Sequence, residues 1–201
     1  MSLAYLKDVC RRFSGNINLD KKIIFIHVPK CAGNSIKKAV GGFSGDSHLK
    51  ASDIPQGLFD NFFTFSFVRN PWDRCLSAYF YLLKGGSQNR SDLIDKETYV
   101  NNYFDFNDFV QNGLLEASKN QQHFKKQCFY LDREVDYIGY FERINQDFNM
   151  LSLMLNLQGK LSRQNATKKL NYKKYYNPSS LEIVREIYKD DIDQFGYHSH
   201  L

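Results

Sequence analysis

Residues 23–35 read IIFIHVPKCAGNS, a run of branched and aromatic side chains that passes into a turn of small and polar residues. The apolar part, residues 23–28, lacks the alternation of a half-buried strand, and such continuous runs are typical of a strand buried on both faces in a parallel sheet. We predict that residues 34–40 form a helix that ends at Gly41 and Gly42. A strand, a turn and a helix in this order indicate an α/β fold.

A second strand, turn and helix follow in residues 62–83. The part that carries the turn, residues 65–79, reads FSFVRNPWDRCLSAY. Asn70 can accept hydrogen bonds from the first N–H groups of a helix, and Pro71 suits the first helical position because it has no N–H to leave unpaired. The pattern therefore predicts a strand that ends before Arg69 and a helix that ends before Gly85.

The rest of the chain continues the alternation of strands and helices. The sequence predicts a polar loop over 87–105, a helix over 107–117, a strand over 135–141, a helix over 145–157, a basic loop over 160–174 and a final helix that begins at Asn177-Pro178 and ends before Gly196. No repeat or low-complexity linker divides the chain, so we predict a single domain over residues 1–201. The fold class expected is α/β, a P-loop-like three-layer sandwich whose central, mainly parallel sheet is flanked by helices.

Composition narrows the class of protein. The 201 residues carry 27 Lys and Arg against 22 Asp and Glu, a net charge of +5, and 42% are hydrophobic. These values exclude a disordered chain. The longest apolar run, residues 23–28, is far shorter than the roughly 20 residues of a membrane-spanning helix, so no membrane span is expected. A mildly basic protein suits an anionic partner such as nucleic acid, a phosphorylated nucleotide or an anionic polysaccharide.

The cysteines point to a reducing compartment. Cys10, Cys31, Cys75 and Cys128 are scattered and form no C-x-x-C pair. This spacing argues against a zinc site and against a disulfide framework, and we expect a cytoplasmic protein.

The turn at residues 29–35 has the features of an anion site. Ala32 and Gly33 allow the backbone to approach an anion closely, and the N–H groups at the start of the following helix lie at its positive end. Lys30 adds a mobile charge and Ser35 adds a hydroxyl. The P-loop pattern G-x-x-x-x-G-K-[ST] is absent, and no hydrophobic strand ends in an Asp that could hold magnesium, so a nucleoside triphosphatase is disfavoured.

The second turn offers complementary groups. Arg69, at the predicted strand end, carries a rigid fork of donors that suits a phosphate, and Ser77 adds a hydroxyl donor on the same side. Arg74 shares a helix face with Ser77, and its side chain could form a surface salt bridge or contact a ligand.

The two motifs, in this order, resemble those of the PAPS-dependent carbohydrate sulfotransferases, where PAPS is 3′-phosphoadenosine 5′-phosphosulfate. The resemblance lies in a first motif P-K-x-A-G-x-S and a second motif R-N-P-[WY]-x-R-x-x-S-A-Y. Residues 135–142, VDYIGYFE, and residues 175–197 also resemble later segments of that family. The similarity covers residues 22–197. One departure is Asn34, where many members have Thr.

The resemblance implies a donor, a product and an acceptor. The donor is PAPS, the product is 3′,5′-ADP, and the acceptor is a saccharide or another hydroxyl-bearing molecule; neither nucleic acid nor a metal ion is expected to take part. Lys30 is expected near the bridging oxygen that leaves with the phosphate. The other residues expected at the 5′-phosphosulfate are Cys31, Ala32, Gly33, Asn34, Ser35 and Ile36. The residues expected at the 3′-phosphate are Arg69 and Ser77, with one or more of Arg163, Asn165 and Lys168 closing over it.

The sequence does not decide which residue is the general base, and it allows two alternatives to sulfuryl transfer. His48 matches a histidine that lies near the acceptor in relatives, and His123 is the alternative base. The other functions considered are a small-molecule kinase and a non-catalytic module of the same fold that binds a nucleotide or nucleic acid.

Overall fold

The computed structural model describes residues 13–45, 47–161 and 171–198. Their contacts form two compact units, and each is described by itself. The first unit contains the described residues up to Val68 and those from 129 to 161, and the second contains Arg69–Cys128 and residues 171–198. The single domain over residues 1–201 stays a prediction.

A mixed four-stranded sheet lies in the first unit. Its strands, in spatial order, are β1 (Ile17–Asn18), β2 (Ile23–Ile26), β3 (Phe63–Val68) and β4 (Tyr137–Tyr140). β1 runs antiparallel to β2, whereas the pairs β2–β3 and β3–β4 are parallel. The predicted α/β fold with a mainly parallel sheet is confirmed. The sheet also contains β1, which has only two residues and therefore no periodicity that the sequence could show.

The middle of the sheet is built from side chains that exclude water. Every residue of β2 is buried, as the continuous apolar run predicts. Ile26 pairs with Ser66 across the parallel ladder, and the Ser66 hydroxyl donates to the Ile26 carbonyl at 2.7 Å. On β3, the Thr64 N–H and hydroxyl both donate to the Asp136 carboxylate, at 2.7 and 2.8 Å, just ahead of β4. The buried polar groups at these positions are therefore satisfied.

Among the described residues, groups of helices follow β2, β3 and β4 along the chain. In chain order they are α1 (Gly33–Val40), α2 (Gln56–Phe59), α3 (Pro71–Leu83), α4 (Arg90–Tyr99), α5 (Phe106–Asn112), α6 (Leu114–Asn120), α7 (Gln127–Tyr130), α8 (Ile144–Met154), α9 (Pro178–Ile187) and α10 (Lys189–Phe195). Short 3-10 helices cover Ala51–Asp53, Phe141–Arg143 and Tyr172–Tyr175. Within the described residues, no helix combines the length and apolar character needed to cross a membrane.

Aromatic side chains with bonded polar tips fill the second unit. The Trp72 indole donates to the Leu181 carbonyl at 3.0 Å, and the Tyr176 hydroxyl donates to the Trp72 carbonyl at 2.9 Å. The Tyr188 hydroxyl donates to the Phe124 carbonyl at 2.7 Å. The first two bonds tie α3 to α9 and to the residue shortly before it, and the third ties the junction of α9 and α10 to Phe124. A buried aromatic residue with a polar tip packs well only where that tip finds a partner.

Three predicted segments need correction. The predicted loop over 87–105 is wrong, because residues 90–99 form α4, whose first turn is capped by the Asn89 side chain accepting from the Asp92 N–H at 2.7 Å. The predicted helix over 107–117 is two helices that meet at Gly113. The final helix is likewise divided at Tyr188. The predicted helix over 145–157 is confirmed as α8.

Candidate active site

The turn between β2 and α1 has an unusual backbone. Lys30 and Ala32 both have left-handed φ angles, 69° and 65°, whereas Cys31 between them does not. For residues with a Cβ this conformation is unfavourable by about 1–2 kcal/mol. Backbone that alternates in handedness turns successive N–H groups toward one concavity, the arrangement of an anion-binding nest. The geometry of the turn therefore suits a phosphate or sulfate group.

Gly33 is required at the start of α1 because a histidine ring lies against it. A Cβ placed on Gly33 would lie 1.9 Å from His27 Nε2, far inside van der Waals contact. His27 is only 4% exposed, and its ring stacks on Phe25 with centroids 5.4 Å apart. The ring therefore has little room to move, and only glycine fits at residue 33.

The start of α1 leaves donors for a ligand. The N–H groups of Ser35 and Ile36 donate to the Ala32 carbonyl at 3.0 and 3.2 Å. Gly33 and Asn34 precede them, and the first N–H groups of an α-helix have no acceptor within the helix. The helix dipole adds partial positive charge at the same end. Ile36 is fully buried and supports the helix from its core side, while the Asn34 side chain is exposed.

The side chains of the turn divide between core and surface. Cys31 is buried, with its Sγ 3.7 Å from the Pro29 carbonyl, so it acts as a small turn residue. Lys30 is partly exposed. The first unit thus presents one cation beside the nest.

His48 lies next to this turn in the same unit. Its Nδ1 is 2.9 Å from the His27 carbonyl oxygen, and the two rings are 4.3 Å apart. A carbonyl can only accept a hydrogen bond, so Nδ1 carries the hydrogen and the lone pair of the neutral ring is on Nε2. The contact therefore selects the tautomer that a general base needs.

The segment after His48 is anchored by Asp132. Its carboxylate accepts hydrogen bonds from the Ser52 N–H at 2.9 Å and the Ser52 hydroxyl at 2.6 Å, and it pairs with Lys50 Nζ at 2.8 Å. Burial raises the pKa of Asp132, but the hydrogen bonds and charge of Lys50 and Ser52 outweigh burial and lower it overall. The ionised carboxylate thus holds residues 50–52 in place.

Arg69, just before α3, contacts Asp73 on the first turn of that helix in the second unit. Arg69 Nε and Nη2 both lie 2.9 Å from Asp73 Oδ2. Ser77 follows Asp73 by four residues, one helical turn, so the two side chains lie on the same face of α3. The structure therefore directs the guanidinium toward the face that carries the Ser77 hydroxyl.

The backbone of Arg69 is held by Gln127. The Arg69 N–H donates to Gln127 Oε1 at 2.9 Å, and Gln127 Nε2 donates to the Arg69 carbonyl at 2.8 Å. The Gln127 N–H in turn donates to Asp191 at 2.8 Å, and the Cys128 N–H donates to the same carboxylate at 2.9 Å. Asp191 is completely buried, which raises the pKa of its carboxyl, while the Arg74 charge and these two N–H groups act in the opposite direction.

Arg74 has neither of the roles that the sequence left open. Its side chain is 1% exposed and donates to the carbonyls of His123, at 3.1 Å, and Lys125, at 2.6 Å. Its Nη2 lies 4.0 Å from Asp191. Arg74 therefore stabilises the interior of the second unit instead of a surface pair or a ligand.

His123 occupies a core position in the second unit. It is buried, its N–H donates to the Gln121 side chain at 2.6 Å, and its ring packs edge-on against Tyr81 at 4.9 Å. Three other predicted site residues, Arg163, Asn165 and Lys168, lie outside the described residues. Among those that are described, no group of three or more His, Cys, Asp or Glu side chains could hold a metal ion.

The sequence missed several residues that orient the predicted site. Asp73 could have been found from its spacing, since an acid four residues after an arginine is a common helical pair. Gln127, Asp132 and Asp191 carry no such signal, because each reaches its partner across a long stretch of chain.

Comparison with known proteins identifies the family. The profile of the Sulfotransferase family matches residues 16–198, nearly the whole chain, and the chain belongs to this family. The α/β fold with its mixed sheet is consistent with that membership, and the family supports sulfuryl transfer as the general activity. The chain is also similar to an uncharacterized protein of Archaeoglobus fulgidus, with 28% identity over 122 residues that make up 60% of this chain and 91% of that protein.

Proposed function

We propose that the protein transfers a sulfuryl group from PAPS to a hydroxyl of a carbohydrate-like acceptor. Family membership supports sulfuryl transfer, and the motif resemblance supports the donor and acceptor classes. The observation that carries the proposal is the left-handed backbone of Lys30 and Ala32 directly before α1, a conformation that suits an anion nest. A phosphosulfate is an anion of the kind that such a nest binds.

The first motif holds the 5′-phosphosulfate in this proposal. The N–H groups from Ala32 to Asn34 donate to its oxygens, with Cys31, Ser35 and Ile36 completing the turn. Lys30 lies near the bridging oxygen and stabilises the negative charge that develops there. Backbone donors suit this task because their positions are set by the fold before the ligand arrives.

The second motif holds the 3′-phosphate. Arg69 offers its guanidinium fork, and Ser77 offers a hydroxyl from the same helix face. Asp73 keeps the fork oriented through its contacts with Nε and Nη2. We include Arg163, Asn165 and Lys168 in the proposal as cations and donors that close over this phosphate.

Group transfer needs a donor and a base. PAPS supplies a sulfuryl group that forms an S–O bond to the acceptor hydroxyl as the S–O bond to the 5′-phosphate breaks, releasing 3′,5′-ADP. His48 accepts the hydroxyl proton at Nε2, the atom left with a lone pair by the bond from Nδ1 to the His27 carbonyl. We prefer His48 to His123 as the base because His123 is packed in the core of the second unit.

Nucleotide selectivity tests the donor site. We expect 3′,5′-ADP to raise the melting temperature more than ADP with magnesium or an oligonucleotide does, because at equal concentration the ligand that binds more tightly stabilises the native state more. Arg69→Ala removes this preference. Arg185→Ala, which removes an exposed arginine of the same unit paired with Glu182, keeps it. Stabilisation by ADP with magnesium alone indicates a kinase, and stabilisation by the oligonucleotide alone indicates a nucleic-acid-binding module; either result contradicts the proposal.

Turnover with labelled PAPS and a panel of saccharide acceptors tests the base. His48→Ala is expected to bind 3′,5′-ADP as the wild type does but to transfer sulfuryl roughly 100-fold or more slowly, the usual contribution of a general base. Added imidazole restores part of the rate. His198→Ala, at an exposed histidine, is the control and keeps full turnover. Full turnover by His48→Ala would show that another group is the general base.

A further inference from the structure

We infer that Gln127 is a positioning residue for Arg69, which it holds so that the guanidinium reaches the 3′-phosphate of the donor. The inference rests on the proposed function. Gln127 does not touch the donor in this arrangement; it acts through the backbone of the residue that does.

Two hydrogen bonds join the Gln127 amide to both backbone groups of Arg69. Arg69 donates its N–H to Oε1 at 2.9 Å, and its carbonyl accepts from Nε2 at 2.8 Å. The strand pairing of β3 ends at Val68, so Arg69 is the first residue after the ladder. The side-chain amide has one donor and one acceptor in the spacing of a peptide group, so it takes the place of a neighbouring strand for this single residue.

Gln127 is itself held in place. Its side chain is completely buried, and its own N–H donates to the buried Asp191 carboxylate at 2.8 Å. Asp191 also accepts from the Cys128 N–H and lies 4.0 Å from Arg74 Nη2. Because the Gln127 backbone is bonded to this buried carboxylate, its side-chain amide presents a fixed surface to Arg69.

Arg69 is therefore fixed at both ends. Gln127 holds its backbone, and Asp73 holds its guanidinium on α3. A long side chain that is ordered before the ligand binds loses less conformational entropy on binding. A polar residue in the core costs desolvation unless its groups are bonded, and at Gln127 both polar atoms of the amide bond to this one residue.

The test compares ligands that differ only in the 3′-phosphate. Dissociation constants of 3′,5′-ADP and of 5′-AMP are measured by titration calorimetry on the full chain. The ratio of the 5′-AMP constant to the 3′,5′-ADP constant reports the 3′-phosphate contact. Gln127→Met removes both hydrogen bonds at similar length, and we expect the ratio to fall about tenfold, the scale of a bond to a charged group. Gln121→Met is the matched control: Gln121 is also a buried glutamine that accepts from a backbone N–H in the same unit, at His123. It is expected to lose stability but keep the ratio.

A double-mutant cycle separates positioning from general damage. In an Arg69→Ala background, Gln127→Met should leave the ratio unchanged, because the residue it positions is gone. A folded Gln127→Met protein with the wild-type ratio overturns the inference and leaves the proposed function intact. If Arg69→Ala itself keeps the ratio, Arg69 is not the 3′-phosphate ligand, and both are overturned. Gln127→Asn keeps an amide that is too short to reach Arg69; it serves if Gln127→Met does not fold, and an unchanged ratio there has the same meaning.

Discussion

At the scale of single residues, the site depends on a strained turn held by its neighbours. Lys30 and Ala32 keep left-handed backbone although each has a Cβ. The conformation persists because the Ala32 carbonyl accepts the first two hydrogen bonds of α1 and because the His27 ring packs against Gly33. Strained residues of this kind are found where a ligand needs a backbone that is already arranged.

Gly33→Ala should disrupt this turn. The new methyl group would strike the His27 ring at 1.9 Å, so we expect a loss of about 2–3 kcal/mol in the free energy of unfolding and weaker binding of 3′,5′-ADP. Urea denaturation and calorimetry measure the two effects. Gly45→Ala measures backbone strain without a clash: its Cβ would meet no atom, so its loss in stability comes from the positive φ alone, and 3′,5′-ADP binding should be unchanged.

The contribution of the clash can be isolated in a second cycle. If the clash with the His27 ring causes the loss, Gly33→Ala lowers the free energy of unfolding less in a His27→Ala background than in the wild type. An equal cost in both backgrounds would show that the requirement for glycine has another origin.

The proposed binding residues and the residues that orient them differ in how far local sequence singles them out. The Lys30 turn and Arg69 stand beside strand ends and carry recognisable motifs, so local sequence was sufficient to single them out. Gln127 lies 58 positions from Arg69 and Asp191 lies 64 positions from Gln127, so these pairings exist only once the chain is folded. Arg74 belongs to the second motif, yet its burial shows that a motif residue can serve the fold instead of the ligand.

At the scale of elements, prediction succeeded where local chemistry specifies the ends of a helix. Asn70 accepts from the N–H groups of Trp72 and Asp73, and Pro71 occupies the first position, so α3 begins where the sequence predicts.

The helix α4 was not predicted because it lacks an apolar face. Leu93 and Ile94 are exposed, and its one buried residue is Asp92, whose carboxylate accepts from Tyr81 and Ser87. A helix stabilised by a tertiary carboxylate contact leaves no hydrophobic period to read.

Asp132 should give the segment after His48 a pH-dependent stability. Its pKa in the folded protein lies below the ordinary value of 3.8, so its stabilising effect is complete above that value and is lost as the pH falls through the lowered pKa. Asp132→Asn is therefore expected to lower the free energy of unfolding at pH 7 and to have little effect in strong acid. Urea denaturation across this range measures the difference.

Asp20→Asn provides the comparison for that experiment. Asp20 is an exposed carboxylate on the turn before β2, and its substitution should leave stability unchanged at both pH values. If Asp132→Asn lowers the free energy of unfolding equally at pH 7 and in strong acid, the side chain of Asp132 acts through its shape and not through its charge.

At the scale of the whole molecule, the net charge of +5 now has partial assignments. Lys30 and Arg69 lie at the two proposed phosphate sites, and Arg69 has Asp73 as its acidic partner. Arg74 and Lys50 lie beside Asp191 and Asp132 within the fold. Overall charge therefore suggests an anionic partner without choosing among such partners, and the folded arrangement shows which cations have acidic neighbours.

The thiols described in the fold should be inert. Cys31, Cys75 and Cys128 form no disulfide, and burial raises the pKa of Cys75 and of Cys128 to about 12. Because the thiolate is the reactive form, we expect Cys75 and Cys128 to resist iodoacetamide at pH 8 in the native protein and to react in urea, as mass spectrometry would detect. Ser91→Cys introduces an exposed thiol as a positive control. Fast modification under native conditions would contradict the burial of Cys75 or the raised pKa of Cys128.

The order of the two units along the chain has a consequence for synthesis. The first unit is interrupted after Val68 and resumes at Phe129, so β3 leaves the ribosome well before its parallel neighbour β4. At about 5–20 residues per second, translation of the intervening residues takes roughly 3–12 s. Throughout that interval one edge of the nascent sheet, lined by the apolar run of β3, has no partner strand, and such edges are prone to aggregate. The newly made chain is therefore expected to need chaperone protection during this window, even though the finished fold buries the same strand.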